Sequence, residues 1–144
     1  MSQENVELVM SLQRTADEDF VELIRDDERW RALADAAAPF VHDDVVSIRP
    51  GVPGGKPYVG LEGFRRLWLD WLAPWAEYRT AIDEAFDCGD RVLLLQSSSG
   101  RLQGSRAEVR LAPGVVWTLR DGKVARFEVY TDRGLARRAV GLER

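Results

Sequence analysis

The stretch YVGLEGFRRLWLDWLAPW, residues 58–75, decides how the rest of the chain reads. At 100° per residue, Leu61, Phe64, Trp68, Trp71, Leu72 and Trp75 fall on one narrow stripe, with Glu62, Arg66 and Asp70 opposite. The spacing predicts a one-sided helix. Pro74 disfavours the α region at Ala73, so the helix should stop there and Trp75 should sit just past its end. Three of the five tryptophans lie within this segment. Such bulk either fills a core or lines a hole. Trp68 reads first as core. Trp71 and Trp75, toward the helix end, fit a pocket wall as well as a core.

Two further helices are expected upstream. Leu8, Leu12, Ala16, Phe20 and Leu23 recur at helical spacing, which predicts one long helix with Ser2 as N-cap. Asp26 and Asp27 can cap another, with Trp30, Leu33 and Ala37 inward and Pro39 at its end. DDVVSIR, residues 43–49, reads as a short strand, and PGVPGGKP, residues 50–57, as a loop without helix or ladder potential.

After Tyr78 the pattern turns to strands. AEYRTAIDEAF and RVLLLQSSSGRLQ flank a CGD turn; AEVRLAPGVVWTLR follows a turn at Gly104-Ser105. Pro113-Gly114 suggests a bulge. Asp121-Gly122 is the strongest hairpin signal, because a type I′ turn needs positive φ at both central residues. KVARFEVYT is the last strand, and residues 132–141 read as a short closing helix. With a two-residue turn, Trp117 should oppose Arg126 and Val115 should oppose Glu128. Trp117, Arg126, Glu128 and Tyr130 would then share one face, suited to a pocket wall or a dimer surface. Val116, Phe127 and Val129 would share the other, a candidate homodimer seam.

Helices must bury their stripes against one face of a strongly bent sheet. The expected fold is α+β: a strongly curved antiparallel sheet wrapped around about three helices, in one domain over residues 1–144. Net charge is −4 with no basic block of note, which argues against nucleic acid as a partner. No apolar run approaches ~20 residues, so no membrane span is expected. The acidic start lacks a signal peptide's positive residues, and the single cysteine, Cys88, permits no internal disulfide. Both fit a cytoplasmic protein.

MSQENVELV, FVHDDV, YVGLEGFRRLW, DCGDRVLLL, VVWTLRDGKVARFEVYTD and RGLARRAVGL, in this order, resemble the SnoaL-like, ketosteroid-isomerase-like branch of the NTF2-like superfamily. The resemblance implies a cone-shaped α+β domain whose relatives include isomerases, cyclases, dehydratases, hydrolases and non-catalytic binding domains. Residues 15–40 depart from the branch, with a longer acidic segment where members carry a short helix-turn-helix over the pocket mouth.

Among titratable groups, Glu128 is the first candidate for acid–base work, since an apolar cone would desolvate it and raise its pKa; an ion pair with Arg126 or Arg101 is the competing reading. His42, the only histidine, is a candidate base or a plain loop residue. Asp83 and Glu84 alternate on a strand, so at most one faces inward. Tyr58 and Tyr130 can donate hydrogen bonds, and Trp68, Trp71, Trp117 and Arg126 complete the candidate ligand site. A lone histidine makes no metal cluster, no phosphate loop or serine elbow is visible, and no cofactor is implied. The expected partner is a hydrophobic, carbonyl-bearing small molecule. It would be met either by a cofactor-free acid–base enzyme of isomerase, cyclase or dehydratase type, or by a non-catalytic binding or dimeric assembly domain.

Overall fold

The computed structural model describes residues 2–52 and 55–142. Helices α1 (Ser2–Ser11), α2 (Phe20–Arg25) and α3 (Asp27–Ala37) come first, then a 3₁₀ turn (Ala38–Phe40) and strands β1 (Val41–Ile48) and β2 (Tyr58–Val59). Helix α4 (Gly60–Leu72) leads into β3 (Trp75–Cys88), β4 (Arg91–Leu102), β5 (Glu108–Leu111), β6 (Gly114–Arg120) and β7 (Lys123–Tyr130), and α5 (Arg133–Ala139) closes the chain.

Helix α4 ends at Leu72 and Trp75 opens β3, but Ala73 is not displaced from the α region as expected: it keeps φ −52° and ψ −44°, and what Pro74 removes is the N–H that a further turn would need. Asp26 caps α3 by accepting from the amides of Glu28 and Arg29 at 2.9 and 3.0 Å. The single long N-terminal helix is not formed: α1 and α2 are separate. Asp19 provides the break. Its carboxylate accepts from Val21 N at 3.0 Å, which starts a new helix, and from Tyr78 N at 3.1 Å, which ties that start to β3. A short polar side chain that caps from outside competes with helix continuation.

The strands form one open sheet in the order β2-β1-β7-β6-β4-β3, with β5 also on β4. The expected all-antiparallel sheet is instead mixed, since β1 runs parallel to β7. The connection between those two strands holds α4 and five strands, long enough to return the chain in the same direction. AEVRLAPGVVWTLR is two strands. Pro113 has no N–H to donate, so the ladder breaks there; its carbonyl still accepts from Gln96 N at 3.0 Å.

Asp121 and Gly122 take φ of 56° and 77°, as a type I′ turn demands. The register beyond it differs from a plain hairpin. Arg120 and Leu119 pair with Lys123 and Val124, but Thr118 pairs with Arg126, leaving Ala125 as a bulge. From there Trp117 opposes Phe127, Val116 opposes Glu128 and Val115 opposes Val129. One extra residue exchanges the faces of β7 relative to β6.

The main core lies between the inner face of the sheet and α1–α4, and joins Val92, Leu94, Val115, Trp117, Phe127 and Val129 to Trp30, Leu67, Trp68 and Leu72. A smaller cluster covers the outer face, where Leu93, Leu95 and Val116 meet Ala136 and Val140 around α5. The expected dimer seam is therefore unavailable. Phe127 and Val129 belong to the inner core, and Val116 is fully buried beneath α5.

Candidate functional site

Between the helices and the inner face of the sheet lies a cavity of about 420 Å³. Phe20, Ile24, Trp30, Phe64 and Trp68 wall it from the helices; Val115, Trp117, Val124 and Phe127 wall it from β6 and β7. Ser11, Arg14, Ala36 and Phe40, all exposed, rim it. Its rings interlock: Phe127 packs edge-on with both Phe64 and Trp117, at 4.8 Å between centroids in each case, and Phe20 lies 5.3 Å from Trp68.

Two polar side chains interrupt this surface from the sheet. Thr80 and Gln96 are nearly buried, at 8% and 6% exposure, and their side chains meet at 3.2 Å from Thr80 Oγ1 to Gln96 Oε1. Ser98 Oγ lies 2.9 Å from the same hydroxyl. Thr80 and Gln96 occupy inward positions on the paired strands β3 and β4. At the rim Arg14 is paired with Glu18 at 2.8 Å. The wall residues include no carboxylate, histidine, cysteine or tyrosine among the described residues.

Of the residues picked from sequence, Trp68 and Trp117 line the cavity. Trp71 does not: its ring packs 6.2 Å from Trp75 and carries the Arg49 guanidinium 4.5 Å from its centroid. Tyr58 donates from its hydroxyl to Asp70, and that bond is the main reason its pKa is raised. Arg126, Glu128 and Tyr130 are together, but on the outer face beside Val116. Arg126 Nε lies 3.4 Å from Glu128 Oε2, and the Tyr130 hydroxyl donates to the same oxygen at 3.3 Å. Burial, then the Glu128 charge, raises the Tyr130 pKa. His42 donates from Nε2 to the Arg120 carbonyl at 2.6 Å, bracing the end of the β6–β7 hairpin. Asp83 accepts from Ser97 and Arg133, and Glu84 pairs with the outward Leu95, so a β3 bulge after Ile82 leaves neither acid facing the cavity.

Trp30, Phe64, Phe127, Thr80 and Gln96 were not picked as site residues. Trp30 and Phe64 stood on the inward stripes already drawn. Thr80 and Gln96 carried a weaker signal. The run VLLL before Gln96 is buried on both faces, so it shows no alternation from which to tell which way the next side chain points.

An open, curved sheet closed by helices over an aromatic cavity defines an NTF2-like α+β cone. The sequence matches the model of the SnoaL-like domain over residues 16–127, and the chain belongs to that family. Solved structures share the fold along nearly the whole chain. A putative SnoaL-like polyketide cyclase from Jannaschia sp. CCS1 is 19% identical with a TM-score of 0.67, covering 99% of this chain and 94% of that one. TerC, co-crystallised with polyporic acid, is 20% identical with a TM-score of 0.66 over 96% and 98%. An LEH-like epoxide hydrolase from M. tuberculosis is 19% identical with a TM-score of 0.57 over 96% and 97%. At these identities the likeness is one of fold, a fold used for small-molecule binding or catalysis. No curated protein matches the sequence. No helix among the described residues is long and apolar enough to cross a membrane.

Proposed function

We propose that the chain binds a largely apolar small molecule in the cavity and holds one carbonyl or hydroxyl oxygen of it at Gln96. The observation that carries this reading is the wall itself: aromatic rings and aliphatic chains around about 420 Å³, interrupted from the sheet by one hydrogen-bonded amide. That is the composition of a ligand pocket, apolar with a few convergent polar groups that fix orientation. Gln96 Oε1 is engaged by Thr80, which leaves the amide NH₂ for a ligand acceptor.

Acid–base catalysis in the same cavity needs a proton-transfer group within about 3 Å of the ligand. The wall offers an amide and a hydroxyl there, whereas Glu128 and His42 hold structural bonds elsewhere. This favours the binding reading over the isomerase, cyclase or dehydratase reading.

The test is titration with prodan, a neutral naphthyl ketone whose emission moves to the blue in an apolar site. Saturable binding of one molecule per chain, with quenching of tryptophan emission, is expected. Emission that stays at its aqueous wavelength through the titration would refute the pocket.

A further inference from the structure

Next to the cavity wall at Val45, Phe127 and Trp68, three hydrogen-bond donors lie without acceptors. Ser47 Oγ, Arg49 Nη2 and Trp68 Nε1 are each sealed from water and make no hydrogen bond among the described residues. They belong together. Val45, which lines the cavity, is followed two residues on by Ser47 on β1, and Arg49 comes two residues later, just past the end of that strand. Ser47 is fully buried opposite Phe127, another wall residue. The Arg49 guanidinium carbon stands 5.5 Å from the centroid of Trp68 and 4.5 Å from that of Trp71. The rings supply cation–π attraction but no hydrogen-bond acceptor.

Arg49 is thus a cation turned into an aromatic interior with no carboxylate paired to it among the described residues. Burial lowers its pKa from 12.5 to about 10, and the opposing influences are the Tyr78 and Tyr58 phenols. It still carries its charge at neutral pH. A buried charge without a counter-ion is expensive, as is each sealed donor without an acceptor. A guanidinium, a hydroxyl and an indole N–H can all be satisfied by one group, an oxyanion with several lone pairs.

We propose that Arg49, Ser47 and Trp68 form an anion site that takes the acid group, a carboxylate or sulfonate, of the molecule whose apolar body fills the cavity. The proposal rests on the cavity being a ligand pocket. Trp71 is the ring that gives way to admit the acid group. It is half-buried, whereas Trp68 is held among Phe20, Tyr78 and Phe127. The ligand class is then an amphipathic monoanion: apolar rings or chain at one end, an acid at the other, an oxygen between them within reach of Gln96.

Two fluorescent probes with the same ring system separate the ideas: 1-anilinonaphthalene-8-sulfonate carries a sulfonate, and N-phenyl-1-naphthylamine does not. The full chain should bind the sulfonate at least ~10-fold more tightly, the scale of a charge-assisted hydrogen bond. Arg49→Gln should erase that preference and leave the neutral probe's Kd unchanged. Ser47→Ala, which only removes a hydroxyl, should weaken the sulfonate about threefold, and it carries the comparison should Arg49→Gln fail to fold. In the unaltered protein benzoate should displace the sulfonate probe where benzamide does not. A preference that survives Arg49→Gln, or equal displacement by benzoate and benzamide, overturns the anion site and leaves the pocket standing. Failure of the neutral probe to bind at all overturns the pocket and this proposal with it.

Discussion

Thr80 Oγ1 stands 3.2 Å from Gln96 Oε1 across the β3–β4 pair, and Ser98 Oγ approaches the same hydroxyl at 2.9 Å. A hydroxyl has one proton to give. If Thr80 gives its proton to Gln96, Ser98 gives its own to Thr80, and the chain of donors ends at the Gln96 NH₂. Each bond polarises the next in an interior of low dielectric, so that amide is a better donor than an isolated one.

Gln96→Leu should therefore weaken prodan binding by roughly tenfold, the value of one buried hydrogen bond near the upper end of its usual range. The emission of the bound probe should also move further to the blue, because its carbonyl loses a donor. Stability should change little, since Thr80 and Ser98 keep each other. An unaltered Kd and emission would mean that the ligand oxygen lies elsewhere.

Phe127→Ala should cost about 3–5 kcal/mol in urea unfolding. The ring is almost fully buried and touches Phe64, Trp117 and Trp68. These are rings on two faces of one cavity, so removal both opens the core and enlarges the pocket. A loss below ~1 kcal/mol would be inconsistent with a ring at the junction of helices and sheet.

Those two residues show what the sequence could and could not tell. The stripe on α4, the Pro74 stop, the Asp121-Gly122 turn and the family motifs carried the architecture, because periodicity and turn chemistry are local. The cone was legible; the side on which each β7 residue stands was not. That depends on Ala125, one unpaired residue in a strand of ordinary composition, while the bulge signal drawn from sequence lay at Pro113. An error of one position carried Glu128, Arg126 and Tyr130 onto the pocket wall and took Phe127 off it. Arg49 was passed over for a different reason. It ends the short strand read at residues 43–49, where the sequence offers no partner for it, and only the packing of α4 on β1 puts it against two indoles.

Asp19→Ala should lower stability by about 1–2 kcal/mol, the usual cost of an N-cap. More diagnostic is where protection is lost. Asp19 holds the amides of both Val21 and Tyr78, so hydrogen exchange should quicken at α2 and in β3 together. Because Phe20, Leu23 and Ile24 line the cavity, probe on-rates should rise as α2 loosens. Faster exchange at Val21 alone would show that the tie to β3 carries no weight.

The last prediction concerns acid. Asp83 has its pKa lowered, first by the hydrogen bond from Ser97 and then by that from Arg133, which also bonds the Gln96 carbonyl behind the site. A carboxyl whose pKa is depressed in the folded chain contributes stability that is present above its unfolded value of 3.8 and is lost as pH falls through the folded one. The side chain is more than a third exposed, so solvent screens the contribution and it should be small. Asp83→Asn removes the titration while keeping an acceptor for Ser97. The stability advantage of the unaltered chain over this variant should be constant from neutral pH down to about 4.5 and should shrink below about 4. Urea midpoints measured for both chains at intervals of half a pH unit would decide it. An advantage independent of pH across the acid range would mean that the bonds to Ser97 and Arg133 do not depend on the charge of Asp83.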